Sequence, residues 1–253
     1  MQRSHNAIQL TELNQDHLPQ LYAFPEELDA PWVRANVVSS IDGAATSENL
    51  SGGLGTPADK TVFDLLRELA DVIVVGAGTA RAEDYGGAHT DPLRRRTFHE
   101  RGIGGHPDGT PPPIAVVTAS ASLEPDTRLF TDTRVPPLII TTAAAPAERT
   151  QRLIDAGAEV VEAGDSTVTP RGLLDALATR GLRRVLVEGG PRLLGELLEA
   201  DVVDEFCMTT APVLVGGTAQ RISLSRHEFG TRMIRAHILL DDDGTILTRW
   251  TRR

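Results

Sequence analysis

The stretch Arg184-Val-Leu-Val-Glu188-Gly-Gly-Pro191-Arg-Leu-Leu-Gly-Glu-Leu-Leu198 sets the fold class. Its first half is a short apolar run of the kind that forms a buried parallel strand. Its second half carries leucines at helical spacing behind a proline suited to a first helical turn. A strand turning sharply into a helix is one unit of an α/β sheet. Upstream, Thr56-Pro57 is a helix start, and Phe63, Leu65, Leu66 and Leu69 follow on one stripe. That helix gives way to the strand Asp71-Val-Ile-Val-Val-Gly76.

Further strands are predicted at Trp32–Ser39, Pro113–Thr118, Leu138–Thr141 and near Glu159-Val-Val, with helices at about 146–156 and 170–180. Downstream, Val203–Ala211 and Met233–Leu240 read as strands with no helix between them. Asp241-Asp-Asp-Gly244 then turns the chain into Thr245–Trp250, a strong hairpin pattern. The expected fold is α/β and three-layered: a mixed, mostly parallel sheet covered on both faces, with an antiparallel C-terminal hairpin. Residues 1–30 show little periodicity and read as a loosely docked N-terminal arm, and 31–253 as a single domain. Residues 86–112, with the basic run Arg94-Arg95-Arg96, look least ordered and read as a solvated loop.

Composition narrows the function. A net charge of −10 argues against nucleic acid as a partner, because phosphate backbones demand a basic face. No window holds 18 uninterrupted apolar residues, so no membrane helix is expected. Met1–Gln20 lacks an apolar run of signal-peptide length, which makes the expected location cytoplasmic. The one cysteine, Cys207, permits no internal disulfide and reads as a core residue. The 7 histidines are scattered without ligand spacing, so no metal is expected.

Gly189-Gly190 before Pro191 fits two readings. Open helix N–H groups and the helix dipole can hold a diphosphate, and glycines let it approach; alternatively the pair is a tight turn that binds nothing. Gly76-Ala-Gly78-Thr79 also follows a strand, but the dinucleotide fingerprint's third glycine is replaced by Arg81, and no acidic strand end follows about 20 residues on. Close backbone approach of a ligand at Gly76, with the Thr79 hydroxyl nearby, stays open. Two acidic sites could bind a polar heterocycle or move protons, Glu83-Asp84 and Asp42-Gly43. On residues alone, each also reads as a solvated helix end or a plain turn.

Taken in order, Val38-Ser-Ser-Ile-Asp-Gly43, Thr56-Pro57 opening a helix that ends Leu66-Arg67, Val74-Val-Gly-Ala-Gly-Thr79, Val187-Glu-Gly-Gly-Pro191 and Ala211-Pro-Val-Leu-Val-Gly-Gly217 resemble the pyrimidine reductase family of riboflavin biosynthesis over residues 32–250. The resemblance implies a dihydrofolate-reductase-like fold and hydride transfer from NADPH. The implied substrate is a small heterocycle, a 5-amino-6-(5-phosphoribosylamino)uracil type of pyrimidine. It places Glu188, Gly189, Gly190 and Pro191 against the cofactor diphosphate, with Gly76 and Thr79 near the same cofactor. Asp42 and Gly43 are placed by the nicotinamide, and Thr118 and Ser120 by the adenosine 2′-phosphate. Lys60 would meet the substrate phosphate, while Asp84, the implied catalytic residue, would anchor the pyrimidine beside Glu83. A homodimer is also implied, helped by the apolar residues from Phe206 to Val215 that could pair or pack across a two-fold axis.

The sequence departs from the family at Asp84-Tyr85-Gly86-Gly87, where Asp-Pro-x-Leu-Thr-x-Arg is usual. The lost threonine and arginine put substrate phosphate recognition in doubt, unless Arg94-Arg95-Arg96 compensates. With one cysteine and this length, the paired zinc deaminase domain of many relatives is not expected here. Two further readings stay open: a reductase of the same fold acting on dihydrofolate or another pterin-like ring, and a non-catalytic NADP-binding protein.

Overall fold

The computed structural model describes residues 7–14, 16–47 and 50–252. In chain order its elements are β1 (Ile8–Gln9), α1 (His17–Leu21), β2 (Trp32–Ser40), α2 (Pro57–Leu69), β3 (Val72–Gly76), α3 (Ala77–Ala82) and α4 (Pro92–Glu100). There follow β4 (Ile114–Val117), α5 (Arg128–Thr131), β5 (Leu138–Thr141), α6 (Ala147–Asp155), β6 (Glu159–Glu162) and α7 (Pro170–Ala178). The chain closes with β7 (Arg184–Gly189), α8 (Pro191–Glu199), β8 (Glu205–Ala211), β9 (Met233–Leu240) and β10 (Ile246–Arg252).

Among the described residues the strands join one 10-stranded sheet in the order β1-β9-β10-β8-β2-β7-β3-β4-β5-β6. Pairing is parallel from β8 to β6 and between β1 and β9, and β10 alone runs against its neighbours. The predicted hairpin is β9–β10, and it docks through β10 onto β8. Because β8 is hydrogen-bonded on both edges, by β2 and by β10, it cannot pair with a second copy of the chain as its apolar pattern suggested.

Two apolar layers cover the sheet, as expected for strands buried on both faces. On one face α2, α4 and α6 bring Val62, Leu65, Leu66, Leu69, Phe98 and Leu153 onto Ile73, Val75, Ile114, Val116 and Ile139. On the other, α7 and α8 bring Leu173, Leu177, Leu194 and Leu197 onto Val33, Ala35, Val72, Val74, Val185 and Val187.

Two sequence expectations are corrected here. Residues 86–112 are not a structureless loop, for Asp91 caps α4 through its side chain and Pro92 opens it. Arg95 is 1% exposed and donates to the carbonyls of Arg67, Glu68 and Ala70 at 3.1, 2.7 and 3.0 Å. It thereby satisfies the open C-terminal carbonyls of α2, a structural task that removes it from any phosphate. Arg94 pairs with Glu68 at 3.1 Å. The second correction concerns the arm, whose residues 1–6 and 15 lie outside the described residues. Its remainder is firmly docked, with Tyr22 and Phe24 buried in the core.

A buried charge cluster holds the arm. Glu205 meets Arg34 at 2.5 Å and Arg249 at 2.8 Å. Both guanidinium groups also donate to the Ala23 carbonyl, and Arg34 stacks 3.8 Å over the Phe24 ring. Burial alone would push the Glu205 carboxyl up, but the charges of Arg34 and Arg249 override it and hold it at about 2. Beside it His237, edge-on to Tyr22, is pushed down to about 4, first by burial and then by the Arg249 charge.

Both groups are depressed in the fold, so the unfolded chain binds the extra protons and stability falls with acid. The loss runs from about 6.5 to about 4 through His237, and from about 4.5 to about 2 through Glu205. Urea unfolding is expected to show a midpoint that drops between about pH 7 and about pH 4. His237→Phe should flatten that drop; an unchanged slope in the variant would assign it to another group.

Candidate active site

β2 passes to β3 through α2 on one face of the sheet, while β7 lies between those two strands and continues into α8 on the other face. Chain segments therefore leave neighbouring strand ends in opposite directions, which opens a crevice beyond their C-terminal ends. A cavity of about 1130 Å³ occupies it.

The crevice depends on two glycines. β7 ends at Gly189 (φ +116°) and Gly190 (φ +82°), a backbone region that favours glycine. A Cβ on Gly190 would sit 3.3 Å from the Gly76 Cα and 3.4 Å from its nitrogen. The ends of β3 and β7 thus touch backbone to backbone. Gly190 is also the N-cap of α8 and offers no side chain to its first turn. The N–H groups of Arg192 and Leu193 have no intrahelical partner, and Pro191 has no N–H at all. The result is a pair of open donors at the positive end of a helix, a site for an anionic group.

On the opposite wall α2 presents Asp59, Phe63 and Arg67, spaced one helical turn apart. Arg67 stacks 4.2 Å over the Phe63 ring and grips Glu188 with two hydrogen bonds of 2.7 Å. The Tyr85 hydroxyl donates to the same carboxylate at 2.9 Å. Although burial opposes its charge, the Glu188 carboxylate holds Arg67 protonated. Burial and the same carboxylate push the Tyr85 hydroxyl well above its ordinary range.

The structure gathers most of the residues singled out in the sequence. Lys60, Gly76, Thr79, Glu83, Asp84, Thr118, Ser120, Glu188, Gly189, Gly190 and Pro191 all line the cavity. Their tasks differ from expectation in several cases. Glu188 does not face an anion, since its side chain is 1% exposed and committed to Arg67 and Tyr85. Tyr85, at the departure from the family pattern, is a working part of that network. Glu83 accepts from the Ser51 nitrogen and hydroxyl at 2.7 and 2.8 Å, tethering the loop after β2 to the end of α3. Asp84 stands at φ +48°, exposed, 3.8 Å from Arg128. Lys60 is at the rim and pairs with Asp64 at 2.6 Å.

Asp42 and Gly43 do not line the cavity. Asp42 accepts from the Ser40 hydroxyl at 2.5 Å and from the nitrogens of Val215 and Gly216 at 3.1 and 2.7 Å, bonds that hold its carboxyl down at about 2. Its task is to pin the loop after β8. Sequence reasoning missed Asn36, Asp59 and Arg67, all on the cavity wall. The signal was the one-turn spacing of 59, 63 and 67. Among the described residues no group of three potential metal ligands occurs, and no helix is long and apolar enough to cross a membrane.

Residues 31–247 match the family described as the RibD C-terminal domain. The 2,5-diamino-6-ribosylamino-4(3H)-pyrimidinone 5′-phosphate reductase of Archaeoglobus fulgidus is 31% identical over 74% of this chain and 83% of its own length. Its counterpart from Methanothermobacter thermautotrophicus is 32% identical over 76% of this chain and 82% of that one. Among solved structures, a pyrimidine reductase-like protein from Corynebacterium diphtheriae superposes with a TM-score of 0.74 at 31% identity, covering 87% of this chain and 91% of that one. A riboflavin biosynthesis reductase of Saccharomyces cerevisiae shares the fold at a TM-score of 0.65 and 17% identity, covering 92% and 96%.

Removing one member of a buried ion pair strands the other. Arg67→Met is therefore expected to lower unfolding stability by about 3 kcal/mol, with much of the loss recovered in the double variant Arg67→Met/Glu188→Gln. Strictly additive losses in denaturant melts would mean that the pair is not coupled.

Proposed function

The chain belongs to the RibD C-terminal domain family, and on that premise we propose that it reduces a 5-amino-6-ribosylamino-pyrimidine 5′-phosphate with NADPH, opening the ribose to a ribityl chain. It is an oxidoreductase of the riboflavin-biosynthesis pyrimidine reductase type, acting on a small molecule with a nicotinamide cofactor. The observation that carries the finer reading is the open end of α8, set beside the Gly76–Gly190 contact and lining the cavity.

The residues present fit that cofactor. The N–H groups of Arg192 and Leu193 would receive the diphosphate. Thr118 and Ser120, at the end of β4, line the same cavity with Arg81 and would receive the adenosine 2′-phosphate, which selects NADPH over NADH. When bound, the nicotinamide supplies the hydride. The chain's contribution is orientation and exclusion of water. Lys60 at the rim would meet the substrate phosphate, and Asp84, exposed on the cavity wall beside Arg128, would be a polar anchor for the heterocycle. Dihydrofolate reduction and non-catalytic cofactor binding are not favoured by the named relatives.

A cytoplasmic homodimer without nucleic acid partners is part of the same proposal. Val213 and Leu214, 42% and 75% exposed just beyond β8, supply an apolar patch for a second copy. Sedimentation of a monomer at micromolar concentration would refute the dimer.

The functional test is oxidation of NADPH by purified protein, offered the ribosylamino-pyrimidine phosphate and dihydrofolate in parallel. Turnover of the pyrimidine is expected. Gly190→Val, which must strain its backbone and meet Gly76, is expected to weaken NADPH binding by about tenfold or more, roughly 1.4 kcal/mol. Oxidation with dihydrofolate alone, or full cofactor affinity in the variant, would contradict the proposal.

A further inference from the structure

Among the described residues, 212–232 join β8 to β9 without a helix or strand. Connections longer than about 15 residues are uncommon in a compact domain and tend to serve as lids or binding loops. Asp42 fixes the start of this one through the nitrogens of Val215 and Gly216. Further on, the Ala45 nitrogen donates to the Gln220 carbonyl at 2.9 Å, and the Leu224 nitrogen donates to the Pro191 carbonyl at 2.8 Å. Residues 220–224 therefore cross from the loop after β2 to the start of α8, and Gln220 and Ile222 line the cavity there. Beyond the crossing the strap lies along one face of α8, meeting it at Pro191, Gly195 and Glu199, one turn apart. A Cβ on Gly195 would overlap the Leu224 carbonyl and fall 2.9 Å from the Ser225 nitrogen. Glycine is a poor residue for a helix interior, and this close seat accounts for it. Charge adds a second observation. The chain carries no acid between Glu205 and Glu228, although it holds 35 acidic residues and a net charge of −10. A strap without acids, bearing Arg221 and Arg226, suits a cover for an anionic ligand.

We propose that residues 218–227 form a gate over the diphosphate end of the cavity, hinged at Gly216-Gly217 and latched on α8 at Gly195. The gate lifts for each entry and exit of the nicotinamide dinucleotide. This rests on the NADPH reading above. Gly216 and Gly217 are exposed, at φ +66° and +70°, with nothing within 4 Å of a Cβ on either. They can absorb a rotation that no packing opposes. The latch is light: one backbone hydrogen bond, the glycine seat, and an exposed His227 whose Nδ1 lies 2.7 Å from Glu199. Such contacts open locally at small cost while the core strands stay closed. When shut, the gate keeps water from the open N–H groups of Arg192 and Leu193 and slows the escape of a bound dinucleotide. Gly195 is thus a positioning residue, which acts on the cofactor only through the strap.

Stopped-flow binding of NADPH tests the gate, with the wild type compared with Gly195→Ala and His227→Ala. Alanine suits the interior of α8 and His227 is exposed, so both variants are expected to fold. An unlatched gate speeds both entry and exit. Gly195→Ala is expected to raise the association rate and to raise the dissociation rate by about tenfold. His227→Ala should move both rates the same way by a smaller factor. Unchanged rates in Gly195→Ala overturn the gate and leave the NADPH reading intact. So does slower association with weaker binding, the mark of a merely damaged site. Hydrogen exchange reads the strap itself. NADP is expected to slow exchange of the Ala45 and Leu224 amides in the wild type, and Gly195→Ala to speed it. Exchange at both amides that ignores NADP overturns the proposal. A wild type that binds no NADPH overturns the NADPH reading and the gate with it.

Discussion

The backbones of Gly76 and Gly190 meet where β3 and β7 end, and the geometry of the site follows from that contact. The approach rests on Gly190, whose φ of +82° favours glycine and where a Cβ would press on the Gly76 backbone at 3.3 to 3.4 Å. With that contact made, α3 and α8 start side by side and diverge to opposite faces of the sheet. The crevice between them is what the strand order requires, because β7 is inserted between β2 and β3. Side chains on the cavity wall add selectivity to a space that the backbone has already created.

Charge is managed in pairs throughout the molecule, and this separates structural from functional groups. Glu205 serves Arg34 and Arg249 under the N-terminal arm, Glu188 serves Arg67 beside the cavity, and Arg95 serves the carbonyls that end α2. Each is a buried charge with its partners in place, as desolvation demands. Asp59, on the cavity wall, joins no ion pair among the described residues.

Much of the fold was legible in the sequence because its signals are local. Apolar runs such as Val72–Val75 and Val185–Val187, helix starts at Thr56-Pro57 and Gly190-Pro191, and the Asp-Gly turn before β10 each declare an element within a few residues. The helix α4 was hidden because its buried face includes an arginine, so the stretch reads as polar. The arm was hidden for a similar reason: charge pairs and backbone carbonyls, rather than a periodic stripe, hold it down. In the site, the glycines were legible since their spacing reflects backbone geometry. The directions of acidic side chains were not. Asp42, Glu83 and Glu188 are attractive as sequence motifs, yet each is bound to a protein partner distant in sequence, whereas Asp59 looked like an ordinary first-turn residue.

A crystal structure of the protein with NADP bound tests the central claim most directly. The account predicts the dinucleotide across the C-terminal ends of β4, β3 and β7, its diphosphate within hydrogen-bonding distance of the Arg192 and Leu193 nitrogens. A dinucleotide bound elsewhere, or a diphosphate held by side chains away from Gly190, would contradict it.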